Sequence, residues 1–415
     1  MTKSVMIPIA ELEDDALDHN SCIVNEDTCL VAAQQALISV NLDEGSVSWK
    51  RAQPQPAPRY YQVARRIHTV GRKMRTRGGV VAHLFETNRG SAIACYRTGT
   101  GEEIWRKEFP TPRPLSWTEA TPAWEGASTE EIEAFLADTG ALVLAIHRRS
   151  RRSVKWPALT LPPRQSRLEL IRLDWDTGEV LWKRAVDDVE ISLDERDTIG
   201  LVGRSGDGVF VVDEEDGGLE LVIPARKNQG WPRLVGGEVL APWRQGGLVG
   251  IDSWGAGGRS SVEWKRKSAR NTLLLGVGEA AFLRINAQFL CGLAPEGNPK
   301  WEVRLKVGVD WVDVLRSGQV IVAGSGAGGG AYCLDPRDGS EVGAVTSFGP
   351  VWFASTLGGS DSVLLCCDGG IVRWTPKTGK SKLLSECLAL FIAGKQRGKL
   401  VAVLPFFACK LLVLG

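Results

Sequence analysis

The sequence predicts an all-β protein that is built from repeated units of four short antiparallel strands. The first observation is a glycine turn followed four residues later by tryptophan, a pattern that recurs along the 415 residues. The second is the spacing of these marks, because the tryptophan-equivalent positions 182, 222, 264, 301, 343 and 383 lie 37 to 42 residues apart. The third is the near absence of helical periodicity between them. A period of this size predicts one supersecondary unit per repeat.

The clearest copy of the repeat is the stretch LDWDTGEVLWKR, in which Gly178 precedes Trp182. The other full copies are Gly45 with Trp49, Gly101 with Trp105, and Gly297 with Trp301. Four degenerate copies keep the same frame, and one of them retains its tryptophan, Trp264. Together these copies give eight turn marks.

Each unit contains short apolar runs broken by Gly, Asn and Pro, which predicts four strands and three turns. Units of this kind, repeated around a ring, define a β-propeller, here a single domain over residues 1–415. We expect eight blades, with seven as the alternative. Three further strands near the C-terminus and an N-terminal strand in VMIPIAEL would raise the count to nine, which we set aside as improbable. One helix is expected, over Ser128–Gly140.

The repeat turn has a physical role that predicts how the blades pack. Its Asp can accept backbone N–H bonds and its Gly can supply a positive φ. The tryptophan then lies on the outer strand, where it packs on the neighbouring blade and needs a partner for its N–H. The predicted blade-docking residues are Trp49, Trp105, Trp182, Trp264 and Trp301.

Segments of the form L-D-x-x-T-G-x-x-x-W resemble the repeat of the pyrroloquinoline-quinone (PQQ) propellers, from about Ile38 to Glu386. That family includes quinoprotein dehydrogenases, the outer-membrane assembly scaffold BamB and many non-enzymatic proteins. The resemblance implies the fold, whereas function depends on sites that this structural repeat does not contain.

The adjacent Cys366 and Cys367 resemble the vicinal disulfide that lies over the quinone in dehydrogenases of this family, and Asp368 would then be a candidate base. The alternative without a function is that they are two neighbouring cysteines of one strand, with side chains on opposite faces of the sheet. It is favoured because no Glu/Asn/Asp set for the accompanying calcium is identifiable. We therefore expect no enzyme activity, cofactor or metal, with a PQQ-dependent oxidoreductase as an alternative.

Other catalytic motifs are weak in this chain. None of the four histidines has metal-ligand spacing, and no G-x-S-x-G elbow is present. The glycine-rich stretch GSGAGGG lacks the Lys-Ser/Thr of a phosphate-binding loop and is interpreted as a hairpin. A net charge of +1 provides no global attraction for polyanions. The N-terminus does not resemble a signal peptide, and the scattered cysteines predict buried free thiols, so we expect a cytoplasmic protein without membrane contact.

Two intervals of the repeat are too long, which predicts insertions at 52–92 and 110–167 within blades two and three. Both contain basic stretches without acidic residues, and loops carry function more often than strands. The predicted partner-binding patch consists of Arg59, Arg65, Arg66, Arg72, Lys73, Arg75, Arg77, Arg148, Arg149, Arg151 and Arg152.

Such a patch would suit an acidic protein partner or nucleic acid, or it would be solvated without a ligand. The sequence favours a protein–protein interaction scaffold that acts as a subunit of a larger cytoplasmic assembly. A nucleic-acid-binding propeller is the alternative.

Overall fold

The computed structural model describes most of the chain as β-strands joined by tight turns. The described residues are 4–8, 22–25, 28–32, 36–52, 74–87, 90–110, 128–136, 142–150, 166–187, 189–191, 202–265, 272–277, 279–324, 329–356, 361–386, 391–396, 399–404 and 410–414.

The strands pair into antiparallel four-stranded sheets. The strands of the first four consecutive sheets are β2 (Cys22–Asn25), β3 (Thr28–Ala32), β4 (Ala36–Asn41) and β5 (Ser46–Ala52); β6 (Met74–Arg77), β7 (Val80–Thr87), β8 (Gly90–Arg97) and β9 (Glu103–Pro110); β10 (Ser128–Leu136), β11 (Leu142–Ser150), β12 (Ser166–Leu173) and β13 (Val180–Asp187); and β14 (Val189–Ile191), β15 (Val202–Ser205), β16 (Gly208–Val212) and β17 (Leu219–Pro224).

Four more sheets follow in the same order along the chain. Their strands are β18 (Arg233–Val235), β19 (Glu238–Gln245), β20 (Leu248–Gly255) and β21 (Gly258–Lys265); β22 (Thr272–Val277), β23 (Ala280–Ile285), β24 (Phe289–Leu293) and β25 (Pro299–Arg304); β26 (Trp311–Val314), β27 (Val320–Gly324), β28 (Gly330–Leu334) and β29 (Glu341–Val345); and β30 (Val351–Thr356), β31 (Val363–Cys367), β32 (Gly370–Thr375) and β33 (Lys380–Ser385). We number these eight sheets 1 to 8.

A closing sheet joins the two ends of the chain. It consists of β1 (Ser4–Pro8), β34 (Phe391–Gln396), β35 (Lys399–Leu404) and β36 (Lys410–Leu414), in the order β1-β36-β35-β34. Strand β34 lies against β2 of sheet 1 and against β30 of sheet 8, so this sheet completes the ring.

The architecture is an all-β propeller of four-stranded antiparallel blades, as the sequence predicts. Each of the eight turn marks corresponds to one sheet that is continuous in sequence. The closing sheet is additional, so the described strands form nine sheets in all. Setting this ninth sheet aside was wrong, because every degenerate turn mark belongs to a complete sheet and the terminal strands pair with each other.

The helix expected over Ser128–Gly140 is not present, because Ser128–Leu136 is strand β10. It pairs antiparallel with β11 along its whole length, from Ser128 opposite Ser150 to Leu136 opposite Leu142. The stretch also alternates in sequence, with Ile132, Ala134 and Leu136 two residues apart. Pairing with a neighbouring strand outweighs the helix propensity of its glutamates. The described helical structure is a short 3-10 turn at Pro376–Thr378, and no described helix is long and apolar enough to cross a bilayer.

The core lies between neighbouring sheets. One cluster of buried side chains joins Ile93 and Cys95 of sheet 2 to Leu142 and Leu144 of sheet 3. Another joins sheets 7 and 8 around Trp374, which is fully buried. Because both faces of the inner strands are covered, strands such as β27 and β31 are buried at every residue. This explains why they read as short continuous apolar runs.

The repeat turn between the third and fourth strands has the predicted local chemistry. In sheet 3, Asp174 Oδ1 accepts hydrogen bonds from the N–H groups of Asp176 and Thr177, both at 2.9 Å. The N–H of Gly178 donates to the Asp174 carbonyl oxygen, and Gly178 has a φ of 70°. Asp213 makes the same contacts in sheet 4. In sheet 7, Asp335 Oδ1 accepts the Arg337 N–H, and the Asp335 carbonyl oxygen accepts the Gly339 N–H.

Each of four tryptophans binds the repeat turn of the next sheet. Trp105 Nε1 donates to the Trp175 carbonyl oxygen at 2.7 Å, and a Cβ on Gly178 would lie only 2.5 Å from the Trp105 ring. The same pair of contacts joins Trp49 to Thr98 and Gly101, Trp182 to Glu214 and Gly217, and Trp301 to Pro336 and Gly339. In every case the acceptor lies three residues before the glycine. We call this combination of indole, carbonyl and glycine the tryptophan dock.

A basic side chain two residues after the tryptophan extends the dock in the first three sheets. Arg51 and Lys107 donate to the carbonyl oxygens of Gly101 and Gly178, and Arg184 donates to that of Asp216. This role was not predicted from the sequence, although the recurring WKR and WRK triplets indicate it.

Trp264 departs from the prediction. It packs against the apolar cluster between sheets 5 and 6, but its buried Nε1 has no hydrogen-bond partner. Its hairpin pairs Gly255 with Gly258 without a bulge, whereas the four docked sheets have a register shift before the turn. The hairpin therefore lacks the local geometry that accompanies the dock.

Two other junctions use different contacts. Between sheets 4 and 5, Arg226 pairs with the buried Asp252 at 2.7 Å and Arg259 donates to the Val222 carbonyl oxygen. Between sheets 7 and 8 the direction is reversed, because Gly343 holds the tryptophan position and Trp374 of sheet 8 lies next to it.

The dock predicts that its glycines are required for space as well as for conformation. We expect Gly178→Ala to lower the free energy of unfolding by about 2–4 kcal/mol, from left-handed strain plus displacement of the Trp105 indole. Gly247→Ala is the control, because Gly247 has a φ of 84° with open space around its Cβ position, and should cost about 1–2 kcal/mol. Urea unfolding of both variants measures the difference, and equal costs would contradict the dock.

The hydrogen bond of the dock predicts a second difference, between two tryptophans. Trp105→Phe leaves the Trp175 carbonyl oxygen without its donor, whereas Trp264→Phe breaks no hydrogen bond of the indole. We expect the first substitution to cost about 1–2 kcal/mol more than the second. Thermal unfolding followed by circular dichroism provides the comparison, and a larger loss for Trp264→Phe would refute the assignment.

Candidate functional site

The order of strands assigns every connection to one of two faces of the ring. Each sheet begins at its inner strand and ends at its outer strand. Connections between sheets, and between second and third strands, therefore share one face, which we call the loop face. The tryptophan docks are on the other face, which we call the turn face. Residues 53–73 join β5 to β6 and residues 151–165 join β11 to β12, so the strand ends that flank both segments lie on the loop face.

Most of the predicted basic patch lies outside the described residues. This applies to Arg59, Arg65, Arg66, Arg72, Lys73, Arg151 and Arg152. The predicted insertion 52–92 contains strands β6 and β7, and the insertion 110–167 contains β10 and β11. Both long intervals thus include regular blade strands as well as connections.

The described members of the patch have different positions. Arg148 and Arg149 belong to strand β11 near its loop-face end, with Glu130 as the register partner of Arg148. Arg75 is buried, and its guanidinium donates to the Met74 carbonyl oxygen, so its inclusion in an exposed patch was wrong. Arg77 is exposed at the turn-face end of β6, which separates it from the loop-face strand ends.

The turn-face carboxylates serve the turns. The pKa of Asp174 is lowered mainly by the hydrogen bond from the Thr177 N–H, with a smaller contribution from the charge of Arg77. The side chain and the N–H of Arg337 lower the pKa of Asp335 to about 2. No group of three or more His, Cys, Asp or Glu residues suited to a metal occurs among the described residues.

Cys366 and Cys367 are both buried free thiols in strand β31. Cys367 Sγ donates to the Gly370 carbonyl oxygen at 3.1 Å. Burial raises the pKa of both thiols, which keeps them protonated and unreactive. These contacts fit two ordinary cysteines of one strand and not a vicinal disulfide. Cys29, Cys95, Cys291 and Cys333 are likewise buried thiols outside any disulfide, as expected from the sequence.

Among the inner-strand side chains that the structure describes, Trp352 is the most exposed aromatic one, and it was not predicted from the sequence. It occupies β30, the inner strand of sheet 8, and is 52% exposed. Val351 pairs with Cys367 and Phe353 pairs with Cys366, so Trp352 is the extra residue of a β-bulge. A bulge re-aims a side chain and often adjoins a functional site. Trp352 does not lie four residues after a glycine, unlike the docking tryptophans, and this departure from the repeat is the sequence feature that could have singled it out.

Hydrogen bonds hold the bulge on several sides. Asp368 Oδ1, in the turn after β31, accepts the Trp352 Nε1–H at 2.8 Å. Trp311 on the inner strand of sheet 7 donates its own Nε1–H to the Trp352 carbonyl oxygen at 2.9 Å. Trp311 also packs edge-on against Phe353, with 4.7 Å between ring centroids. At the other end of β30, Thr356 donates to Asp313 Oδ2 at 2.7 Å.

The result is an exposed indole with a fixed orientation at the loop face, near the centre of the ring. We call Trp352, Trp311 and Asp368 the axial aromatic site. Large aromatic side chains that are ordered before binding provide contact area at a small entropic cost. The site therefore has the chemistry of a binding surface, with an apolar ring face and a carboxylate beside it.

The strand order and the tryptophan docks define the protein as a β-propeller. A solved structure described as the eukaryotic initiation factor is similar over 91% of both chains, with 10% identity and a TM-score of 0.53. BamB from Moraxella catarrhalis is similar over 90% of this chain and 97% of its own, with 14% identity and a TM-score of 0.46.

Europium-containing methanol dehydrogenase is similar over 94% of this chain and 82% of its own, with 12% identity and a TM-score of 0.47. The solved structures thus include propellers of the PQQ type, which the repeat resembles. At these identities the similarity concerns the fold. No family model and no curated protein matches the sequence.

The buried thiols predict a defined labelling pattern. Iodoacetamide at pH 8 should leave Cys366 and Cys367 unmodified in the native protein, because burial keeps both thiols protonated. After unfolding without reductant, both should be alkylated, as peptide mass spectrometry will show. An unmodified pair that reacts only after reduction would establish a vicinal disulfide and favour the quinoprotein alternative.

Proposed function

We propose that this protein is a non-enzymatic protein–protein interaction scaffold that acts as a subunit of a larger cytoplasmic assembly. The ring presents a rigid loop face, and the axial aromatic site is the centre of partner contact there. The observation that carries this proposal is the bulged Trp352, which is half exposed while its indole N–H and its backbone carbonyl oxygen are both bonded.

The energetics of interfaces support this role for Trp352. Interface energy concentrates in a few residues, among which Trp, Tyr and Arg are enriched. Two hydrogen bonds hold this exposed indole in one orientation, and a side chain that is ordered before binding loses little entropy when a partner covers it. The strand ends that flank both basic segments share the loop face with this site, which supports a partner that contacts several connections at once.

Nucleic-acid binding is the second candidate for the same face. The observation in its favour is that residues 53–73 and 151–165 contain nine Lys or Arg residues and no Asp or Glu. A phosphate backbone is recognised by such charge, with an affinity that falls steeply with salt. A protein partner is favoured because the anchored indole adds a specific apolar contact, whereas basic segments alone are unspecific.

Affinity purification of the tagged protein, with and without nuclease, tests the two candidates. We expect a stoichiometric protein partner that remains after nuclease treatment. Trp352→Ala should weaken its binding by about 30-fold or more, as for a hot-spot tryptophan. The control is Val342→Ala, which trims another exposed apolar side chain on the outer strand of sheet 7 and should bind normally.

Two substitutions of Asp368 test whether the partner requires the indole of Trp352 to be held in its orientation, and not only to be present. Asp368→Asn keeps an acceptor for Trp352 Nε1–H and should bind like the natural protein. Asp368→Ala releases the ring and should weaken binding by about two- to tenfold, the cost of ordering one side chain. Full binding by Trp352→Ala, or loss of every partner on nuclease treatment, would overturn the proposal. In the second case, Glu substitutions at Arg65, Arg66, Arg148, Arg149, Arg151 and Arg152 become the decisive variants.

A further inference from the structure

A second exposed surface lies at the outer rim of sheets 3 and 4. Leu219 and Leu221 on β17 are 37% and 52% exposed, and Val180 and Leu181 on β13 are 40% and 54% exposed. These are four of the eight exposed large hydrophobic residues described. These four residues lie on the outer strands of neighbouring sheets, and we call them the rim patch.

A tryptophan dock joins the two sheets at the rim patch. Trp182, which follows Leu181, donates to the Glu214 carbonyl oxygen at 2.9 Å and packs on Gly217. Gly217 belongs to the turn that leads directly into Leu219. The tryptophan dock thus joins the exposed residues of β13 to those of β17.

Strand β17 is an edge strand with little protection. It is the last strand of sheet 4, so its outer edge has no neighbouring strand in the part of the chain that the structure describes. Natural edges are commonly guarded by lysine or other charged side chains. The outer strands of sheets 1, 2, 3, 5, 6 and 8 each contain Lys or Arg, whereas β17 reads LELVIP and contains only Glu220 as a charge.

The contacts around β17 define which part of its edge is available. Arg259 of sheet 5 donates to the Val222 carbonyl oxygen, at 2.7 and 2.9 Å, and so covers that end of the strand. The stretch from Leu219 to Leu221 remains exposed at all three residues.

The charge beside the edge selects the occupant. Glu215, Asp216 and Glu220 are exposed beside the two leucines. The nearest basic side chains of β13 already have partners, because Lys183 pairs with Glu169 at 2.6 Å and Arg184 donates to the Asp216 carbonyl oxygen. A second copy paired through β17 would bring two Glu220 side chains and two acidic turns together, which is unfavourable.

From these observations we infer that β17 adds an extended segment of a partner protein in which apolar residues alternate with lysine or arginine. Backbone hydrogen bonds to the free edge provide the register. The apolar residues cover Leu219 and Leu221, and the basic residues face the acidic turn. This site is on the rim of the ring and is independent of the axial aromatic site.

A defined peptide tests the inference with the full-length protein. The probe is a fluorescein-labelled peptide of alternating Leu and Lys, and its binding is followed by fluorescence anisotropy at low and high salt. We expect saturable binding that weakens with salt. A peptide with Glu in place of Lys, and one with a central proline that prevents strand pairing, should both fail to bind. Equal binding of the proline peptide would overturn strand addition.

The variants locate the binding on the rim. Leu221→Lys removes an exposed apolar contact and adds repulsion, so we expect at least a tenfold higher Kd for the basic peptide. Val342→Lys, on the outer strand of sheet 7, is the matched control and should bind like the natural protein, as should Trp352→Ala. Unchanged binding by Leu221→Lys, no binding of any peptide, or a concentration-dependent dimer that Leu221→Lys abolishes would each refute the inference. Trp352→Ala should keep peptide binding even though it weakens the partner binding of the proposed function, so a failure of one proposal can be distinguished from a failure of the other.

Discussion

The bond from an indole N–H to the carbonyl oxygen three residues before a glycine is the interaction on which four junctions of the ring depend. Neighbouring propeller sheets diverge toward the rim, where small side chains cannot bridge them. The tryptophan is large enough to do so, but its N–H needs an acceptor when buried. A turn with a left-handed glycine provides both a free carbonyl and a flat surface without a Cβ, as between Trp105 and Gly178.

The need for a tryptophan and a glycine in each complete dock explains which sheets could be predicted from the sequence and which could not. Wherever the dock is complete, glycine and tryptophan are both specified, and the sheets of Trp49, Trp105, Trp182 and Trp301 are predictable from spacing alone. Where Arg226 and Asp252 or the reversed Trp374 replace it, only the repeat length remains. The closing sheet was undervalued for a related reason, since its strands come from opposite ends and no local pattern records their pairing. Strand β10 was mistaken for a helix because its partner strand, and not its own propensity, determines its conformation.

Functional residues are harder to predict than docking residues, because they depart from the repeat. Trp352 has no place in the glycine-plus-four frame, and its exposure follows from a bulge that only the pairing of β30 with β31 defines. The basic stretches were visible as gaps in the acidic residues, yet composition did not distinguish the strand residues Arg75 and Arg77 from connecting residues. Burial of Arg75 and the turn-face position of Arg77 are tertiary facts.

Whether an exposed apolar side chain on this ring indicates a binding site depends on the residues around it. Val342 is exposed alone on a short strand and needs no partner to explain it. Trp352 is different because Asp368, Trp311 and Thr356 hold its strand and ring in one orientation, which costs freedom that a merely tolerated side chain would keep. Leu219 and Leu221 are different because they lie on an unguarded edge beside fixed carboxylates. The two proposed contacts, one axial and one on the rim, lie on different sheets of the same ring, so two partners can bind at once.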